Sequence, residues 1–547
     1  MSFRVREVGS RLGGVLALAL LLALQVLALA SRRFPAQLTS DDLYPYVFCQ
    51  NLLHGGAPLS GWSLSSAPYF FPDFAGFALL LAATGWHGGA FAAYAVASAL
   101  ALGLAGGALL RALDPAAPGP WRRGLGAANA VVALGWLPGM GRTLWWELAP
   151  GFHGGVLLVA VAAAALVAGG MNHPSRPRWL ALVGLLWLGL LSDAFLALEA
   201  MAPLAAAIAW AAPEGQPAAP RLRRFGSAAA AAGALFLLVR LAQAWGQVFF
   251  AASVFRSAPS LEGFLATAGR LGRDLGGERV AATAMVAAAL GGLAAAGLRS
   301  ARREAGDRQV VRFVAAWSLT AAGSIVGAIL VLGYWHDATN ARYLYPLYVF
   351  PAIAGAALAP IFLRGRTIAF RTSLRAAAIA ILVALGIASA ANIRPGRLVF
   401  SYPADVASLD GFCRRRGLER GLCDFWTLHR VNVLGRAGLR LSPLRGTTGL
   451  GGPAASASFW NDNAYAFLDR DPASGRWARP RYTFIVVNGL DEASLRARYG
   501  EPRERVQAGA WRIWILADPE KASALVVDDV RGRLRGRRWD AIAGDLR

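Results

Sequence analysis

The chain has 547 residues, of which 56% are hydrophobic and only 16% are charged, and its mean hydropathy is +0.44. Soluble domains usually carry about 25% charged residues, so this composition excludes a purely soluble protein. The net charge of +23 would be typical of a nucleic-acid-binding protein. However, many arginines stand in short clusters between apolar segments, which is the positive-inside pattern of membrane proteins. We therefore expect membrane lipids, and no nucleic acid, as the partners of this charge.

Apolar segments that are candidates for membrane spans recur from residue 12 to residue 391. The first, 12–30, follows three arginines and precedes no small-residue cleavage site, which favours a first helix over a cleaved signal peptide. Ten more spans are predicted at 87–112, 125–141, 152–169, 178–192, 194–211, 225–243, 281–298, 312–333, 342–363 and 374–391. Residues 74–84 are too short to span easily, so we predict a half-span or re-entrant segment there.

The arginine clusters orient these spans when each cluster is assigned to the cytoplasm. The spans then alternate regularly, and the outside loops are 31–86, 142–151, 192–193, 244–280 and 334–341. The many Arg, Ala and Gly residues fit a GC-rich bacterial genome, so we expect a multi-pass protein of the bacterial cytoplasmic (inner) membrane. Residues 1–391 form the predicted transmembrane domain, with 31–86 as its first outside loop.

After residue 391 the sequence changes character. Strands are predicted at 482–488 and 511–516, and helices at 404–417 and 491–499. Residues 392–547 therefore form a predicted extracytoplasmic α/β domain with a basic tail, and we expect 519–547 to be poorly ordered. The fold class is an all-α polytopic transmembrane bundle of about 11–13 helices followed by this soluble α/β domain.

Two smaller features of the C-terminal part leave alternatives open. Cys413 and Cys423 are either a disulfide, which an extracytoplasmic location would permit, or two unpaired thiols. The glycines from Gly446 to Gly452 follow no convincing strand, so they indicate a flexible loop rather than a phosphate-binding turn.

Ionisable residues are costly near a bilayer, and here they map to one face of the predicted bundle. A transporter would be expected to place such groups near the bilayer midplane. On the predicted topology they instead lie in outside loops or at the outer ends of spans, which favours a site at the membrane–water interface. The residues are Asp41, Asp42, Asp73, Glu147, His153, Asp193, Arg342 and Tyr343.

Several of these residues have two readings. Asp41 and Asp42 offer a general base or a metal ligand just beyond the first span, but Thr39 or Ser40 followed by two Asp is also a good helix N-terminus. Asp73 ends an aromatic, proline-rich segment that is also typical of an interface anchor. For His153 the alternative is a packed interface histidine, and for Arg342 a snorkelling arginine at a helix end.

The acidic pair after the first helix, the long first outside loop and the many spans resemble the GT-C superfamily of membrane glycosyltransferases. That superfamily includes the protein O-mannosyltransferases and the aminoarabinose transferases. The segments 340–346 (NARYLYP) and 150–155 (PGFHGG) are similar to an Arg-Tyr-x-x-Pro segment and a Pro…His-Gly segment of such proteins. This chain departs from the pattern in carrying Asp-Asp where the superfamily has Asp-Glu.

The resemblance implies a transferase that moves a sugar from a polyprenyl-phosphate donor to an extracytoplasmic acceptor. It makes Asp41 or Asp42, with preference for Asp41, the catalytic base, and it places Arg342 near the lipid phosphate. Asp73, Glu147, His153, Asp193 and Tyr343 join Arg342 as predicted substrate-binding residues. The alternatives are a lipid carrier or flippase without covalent chemistry, and a cell-envelope assembly protein.

No zinc-like Cys/His spacing and no P-loop is present in the sequence. We predict no firm cofactor, and a divalent cation between Asp73 and Asp41 or Asp42 stays open.

Overall fold

A computed structural model describes residues 2–33, 38–54, 58, 61–65, 67–85, 88–172, 175–212, 216–246, 250–251, 260–336, 338–364, 366–400, 402–446, 454–459, 461–471, 473–534 and 537–546. The chain divides into two compact units. The first unit comprises residues 1–34, 69–238 and 255–398, and the second comprises residues 35–68, 239–254 and 399–547. The predicted first outside loop therefore contributes residues 35–68 to the unit that holds the C-terminal segment.

Numbered along the chain, the α-helices are α1 (Ser2–Arg33), α2 (Ser40–His54), α3 (Ala75–Thr84), α4 (Gly89–Leu113), α5 (Pro120–Ala133), α6 (Met140–Leu148), α7 (Gly154–Asn172), α8 (Arg176–Ser192), α9 (Ala202–Trp210), α10 (Ala219–Gly246), α11 (Leu261–Gly276), α12 (Val280–Leu298), α13 (Ala305–Val331), α14 (Pro346–Leu363), α15 (Ile368–Asn392), α16 (Ala404–Arg416), α17 (Phe425–Leu434), α18 (Glu492–Tyr499), α19 (Pro519–Arg533) and α20 (Arg537–Ala543). The strands are β1 (Trp62–Leu64), β2 (Phe250–Ala251), β3 (Arg420–Asp424), β4 (Arg440–Leu444), β5 (Asp462–Asn463), β6 (Asp469–Arg470), β7 (Trp477–Ala478), β8 (Phe484–Val486), β9 (Glu504–Ala508) and β10 (Trp511–Ile515).

Eight helices in the described part of the chain are long and apolar enough to cross a membrane. Their apolar segments are Leu12–Arg32, Gly89–Leu113, Gly154–Met171, Ala219–Gln243, Val280–Arg302, Ala305–Val331, Asn340–Leu363 and Ile368–Asn392. Each corresponds to a predicted span, which confirms a multi-pass helical membrane protein. The other three predicted spans form α5, α8 and α9, which have 14, 17 and 9 residues.

Glycines allow close contact between α4 and α5, as expected for helices that pack in a membrane. A Cβ added at Gly124 would lie 2.7 Å from the Cα of Gly107, and one at Gly103 would lie 2.8 Å from the side chain of Leu125. A buried amide pair joins α1 to α5, because Gln25 Nε2 donates to Asn129 Oδ1 over 2.9 Å. The bundle is therefore held by backbone proximity and by polar contacts as well as by apolar packing.

The short apolar segment at 74–84 forms α3, which a π-helical turn at Phe70–Phe74 precedes. Its 10 residues span about 15 Å at 1.5 Å per residue, roughly half the hydrocarbon thickness. Its length is therefore that of the predicted half-span.

The second unit contains a five-stranded sheet of order β4-β3-β8-β10-β9, in which β4, β3 and β8 are parallel and the last two pairings are antiparallel. Side chains alternate between two hydrophobic cores along β8, with Phe484 and Val486 on one face and Ile485 on the other. Both faces are thus covered, as is usual for parallel strands. A smaller sheet joins β1 to β2 and to β5.

The predicted strands and helices of the C-terminal part are confirmed as β8, β10, α16 and α18. The expectation of a poorly ordered tail was wrong. Residues 519–533 form α19, and Ala522, Val526 and Val530 are buried in the core. They recur every four residues on one helix face, which the many intervening charges conceal in the sequence.

The structure also bears on two smaller features of this unit, one left open by the sequence and one predicted from it. Cys413 and Cys423 are buried free thiols rather than a disulfide. The glycines that begin at Gly446 do follow a strand, since β4 ends at Leu444. Residues 447–452 of that segment lie outside the described residues.

Candidate functional site

Six of the eight predicted site residues belong to the first unit and come together there. We refer to Asp73, Glu147, His153, Asp193, Arg342 and Tyr343 as the polar cluster. Three helical segments and two helix-connecting turns supply them, so the cluster exists only in the folded unit.

Asp73 lies in the π-helical turn before α3, with its side chain 1% exposed. Tyr94 of α4 donates a hydrogen bond from its hydroxyl to Oδ1 of Asp73. Oδ2 is buried and has no hydrogen-bond partner among the described residues. A Cβ added at Gly155 would overlap Oδ2, so the first turn of α7 leaves space for this carboxyl group because residue 155 is glycine. That position also places the carboxyl at the positive end of the α7 dipole.

Glu147 occupies the last turn of α6 and is 2% exposed. Neither of its carboxyl oxygens has a hydrogen-bond partner within the described ranges. Burial raises the pKa of Glu147 well above its usual range, while the nearby charge of Arg342 lowers it and those of Asp73 and Asp193 raise it. Such orphaned buried carboxyls are rare in folded proteins and point to a ligand or a bound proton.

His153 and Asp193 form a buried pair, in which Nδ1 of the imidazole is hydrogen-bonded to Oδ2 of Asp193. The carboxylate is held in turn, because its Oδ1 accepts the backbone N–H of Phe195 over 2.9 Å. The rings of Tyr69, Phe195 and Tyr343 surround the imidazole at centroid distances of 5.7, 5.3 and 4.9 Å. This geometry fixes the histidine ring and leaves Nε2 as the nitrogen that can interact with a ligand.

Tyr69, which packs on His153, adopts a left-handed backbone conformation with φ of 54°. Such a conformation is strained for a bulky residue and concentrates at functional sites. The backbone N–H of Tyr69 donates to the carbonyl of Ser192 over 3.0 Å. This hydrogen bond fastens the segment before Asp73 to the end of α8, directly beside Asp193.

Arg342 lies in the 3₁₀-helix at Ala338–Leu344, just before α14. Its guanidinium carbon is 5.2 Å from the ring centroid of Tyr343, 5.9 Å from that of Phe152 and 6.0 Å from that of Trp146. Aromatic faces stabilise a planar cation while leaving its edge N–H groups able to bind an anion. The arginine is half-buried, so an anion bound to it would be partly shielded from water.

Asp41 and Asp42 belong to the second unit. Asp42 is 2% exposed, and its Oδ2 accepts hydrogen bonds from Thr39, from the backbone N–H over 2.8 Å and from Oγ1 over 2.7 Å. This is the reciprocal half of a capping box at the start of α2. Asp42 therefore acts as a residue of the helix N-terminus. Asp41 is partly buried. The start of α2 is held to α17 by Ser40, whose Oγ accepts the backbone N–H of His429 over 3.1 Å.

Three residues that were not among the predicted site residues belong to the surroundings of the cluster. Tyr94 is the hydrogen-bond donor to Asp73. Tyr345 and Glu199 are each 1% exposed, with the Tyr345 hydroxyl and one oxygen of Glu199 lacking partners in the described part of the chain. Tyr345 stands in the quoted segment 340–346, and a carboxyl inside an apolar helix marks Glu199, so two of the three carried a usable signal.

Within the described ranges, no three His, Cys, Asp or Glu side chains are arranged so that they could hold a metal ion. No known protein family matches the chain. No curated protein matches its sequence either. The assignment of function therefore depends on the chemistry of the residues themselves.

Proposed function

We propose that this chain is a membrane glycosyltransferase that moves a sugar from a polyprenyl-phosphate donor to an acceptor outside the cytoplasm. The observation that supports this function best is the polar cluster of the first unit. It combines buried carboxyl oxygens that have no hydrogen-bond partner among the described residues, a histidine–aspartate pair and an arginine held against aromatic rings. The proposal includes a bacterial cytoplasmic membrane as the location and an extracytoplasmic second unit.

The cluster offers complementary groups to each part of such a donor. Arg342 can bind the phosphate through charge-assisted hydrogen bonds and stabilise the charge that develops on it as the sugar departs. The orphaned oxygens of Asp73 and Glu147 can accept hydrogen bonds from sugar hydroxyls, which would satisfy groups that are otherwise costly to bury. The rings of Phe195 and Tyr343, which stack 5.3 Å apart, can pack against an apolar sugar face.

In the proposed reaction the acceptor oxygen forms a bond to the anomeric carbon, and the bond from that carbon to the phosphate oxygen breaks. The acceptor proton passes to a carboxylate, and the phosphate stays on the lipid. Following the resemblance to the GT-C superfamily, we assign the carboxylate to Asp41. The capping contacts of Asp42 favour Asp41 within the pair, because they employ one Asp42 oxygen in holding α2.

The test is transfer by purified full-length protein in liposomes that contain lipid-linked sugars extracted from bacterial membranes. Mass spectrometry measures the loss of these donors and the appearance of free polyprenyl phosphate. We expect Arg342→Gln and Asp41→Asn each to lower the rate by about 100-fold or more. Glu147→Ala, which removes both carboxyl oxygens, should lower it by about tenfold or more. The matched control is Arg32→Gln, because Arg32 is an exposed arginine stacked at 4.7 Å on Trp136.

Full activity in Arg342→Gln and Glu147→Ala would contradict the role of the polar cluster. Full activity in Asp41→Asn alone would contradict only the base assignment. Movement of the donor lipid across the liposome bilayer without any loss of its sugar would instead identify a lipid carrier.

A further inference from the structure

Two adjoining cavities lie in the first unit beside the C-terminal half of α7. One has a volume of about 390 Å³ and lies among α7, α8, α9 and α10. The other has a volume of about 670 Å³ and lies among α4, α5 and α7. Both are lined by Leu166 and Arg178, so they meet at the end of α7.

The cavities are lined by apolar residues and by arginines, and we refer to these arginines as the basic rim. Leu166, Val167 and Phe225 are among the apolar residues of the smaller cavity, and alanines of α4 and α7 dominate the larger one. Four arginines line the smaller cavity, namely Arg176, Arg178, Arg221 and Arg224, and Arg111 lines the larger one with Arg178. Among the described residues that line the two cavities, none is Asp or Glu.

Arg221 has one hydrogen-bond donor that the described part of the chain does not satisfy. Its Nη2 donates to Oε1 of Gln216 over 2.8 Å. Its Nη1 is buried and has no hydrogen-bond partner among the residues that the structure describes. A buried guanidinium donor without an acceptor is costly, and an anionic group in the cavity would supply that acceptor.

We propose that these cavities bind an anionic phospholipid, with its phosphate at the arginines and its acyl chains in the apolar cavities. Charge complementarity favours this occupant, since the described lining residues include five arginines and no carboxylate. The topology predicted from the sequence assigns the arginines at 176–178 and 221–224 to the cytoplasmic side, where anionic lipids attract basic residues.

This lipid site is distinct from the polar cluster. Gly155 lies beside Asp73 at one end of α7, and Gly170 lines the lipid cavity near its other end. Fifteen residues of helix separate these glycines, a distance of about 22 Å at 1.5 Å per residue. The inference therefore does not depend on the transferase function.

Two kinds of variant test the lipid site through different properties. The first removes charge from the rim with Arg176→Gln, Arg221→Gln and Arg224→Gln together. Arg178 is left in place, because its Nη1 donates to the carbonyl of Gly169 over 2.7 Å and so helps to end α7. The second is Gly170→Leu, which fills the cavity. A Cβ at Gly170 meets nothing within 4 Å, so the backbone need not move.

Each variant has a matched control. Arg366→Gln, Arg371→Gln and Arg375→Gln remove three arginines from and beside the start of α15, which do not line the cavities. Gly184→Leu adds the same side chain at a position of α8 where a Cβ also meets nothing within 4 Å. Gel filtration and thermal unfolding show whether each variant is folded. If the triple-arginine variant fails to fold, Gly170→Leu carries the test.

The measurement is native mass spectrometry of delipidated full-length protein titrated with phosphatidylglycerol, phosphatidylcholine, polyprenyl phosphate or inorganic phosphate. We expect phosphatidylglycerol to bind at least about tenfold more tightly than phosphatidylcholine. We also expect its affinity to fall at least about tenfold in both cavity variants and to stay unchanged in both controls.

Equal binding of the two phospholipids, or undiminished phosphatidylglycerol binding in both cavity variants, would overturn the proposal. Binding of polyprenyl phosphate without phosphatidylglycerol would assign the cavities to the carrier lipid instead. Displacement of phosphatidylglycerol by inorganic phosphate, with binding retained in Gly170→Leu, would reduce the site to a phosphate-binding rim.

Discussion

Two buried ionisable groups of the second unit, His429 and Asp462, should give its stability opposite dependences on pH. Burial lowers the pKa of His429 from 6.5 to about 4, despite its contact with the Asn461 carbonyl. Burial raises the pKa of Asp462 from 3.8 to about 7, although the backbone N–H of Asn463 opposes this. Both side chains are at most 5% exposed, so solvent screens these effects little.

The sign of each effect follows from which state binds more protons. Between pH 6.5 and 4 the unfolded chain protonates His429 and the folded unit does not, so the free energy of unfolding falls as the pH falls. Between pH 3.8 and 7 the folded unit holds a proton on Asp462 that the unfolded chain releases. That contribution is complete below pH 3.8 and is lost as the pH rises toward 7.

The two contributions oppose each other between pH 4.5 and 6, and each amounts to 1.36 kcal/mol per pH unit. Over this interval of about 1.5 units, each is about 2 kcal/mol. Asp462→Asn removes the aspartate contribution and keeps that of His429. The free energy of unfolding of this variant, relative to wild type, should therefore fall by about 2 kcal/mol from pH 6 to pH 4.5. His429→Gln should leave the aspartate term, so its relative stability rises by a similar amount over the same change.

The cysteines provide an assay that reports on this unit alone. The chain has three cysteines, and Cys49, Cys413 and Cys423 are all buried in the second unit. Labelling by 4,4′-dithiodipyridine in moderate urea, divided by the labelling rate of denatured protein at the same pH, gives the free energy of opening. Other titrating groups are common to the three proteins and cancel in the differences. Parallel pH profiles for both variants and wild type would refute the reasoning.

Two further substitutions test packing in each unit. Gly155→Ala should lower the stability of the first unit by about 1–3 kcal/mol, because the added Cβ overlaps Asp73. Thermal unfolding in detergent measures this, and Gly184→Ala, where nothing lies within 4 Å, is the control; equal losses would contradict the prediction. Val530→Ala should destabilise the second unit by about 2 kcal/mol in the thiol assay. Exposed Asp528→Ala should have little effect, and unchanged protection in Val530→Ala would show that α19 is not packed.

The membrane-spanning helices were predictable because a bilayer demands long apolar segments, and eight of them appear as predicted. The order of the C-terminal tail was not predictable from its overall polarity. Helix α19 needs only one apolar face, which Val526 and Val530 provide at a spacing of four residues. A search for periodicity rather than for hydrophobicity would have found it.

The polar cluster was predictable as a set of residue types and not as a set of contacts. Carboxyl groups near a bilayer are conspicuous in the sequence, so Asp73, Glu147 and Asp193 were found. The pairing of His153 with Asp193 joins residues 40 positions apart, and no spacing rule connects them. Tyr94 was missed because a tyrosine in an apolar helix is also typical of an aromatic belt.

The smaller sheet of the second unit has a consequence for how the chain is made. Strand β1 pairs with β5, in which Asn463 is the partner of Trp62, so this pairing forms only after Asn463 has been synthesised. At 5–20 residues per second, the ribosome needs roughly 20–80 s to produce the intervening segment. During that time seven of the eight apolar helices are synthesised, because only Leu12–Arg32 precedes β1. Trp62, which is fully buried in the finished protein, still lacks its neighbouring strand β5. A chain that stops early thus keeps an unpaired strand edge and an uncovered tryptophan, features by which quality-control proteases and chaperones distinguish incomplete products from complete ones.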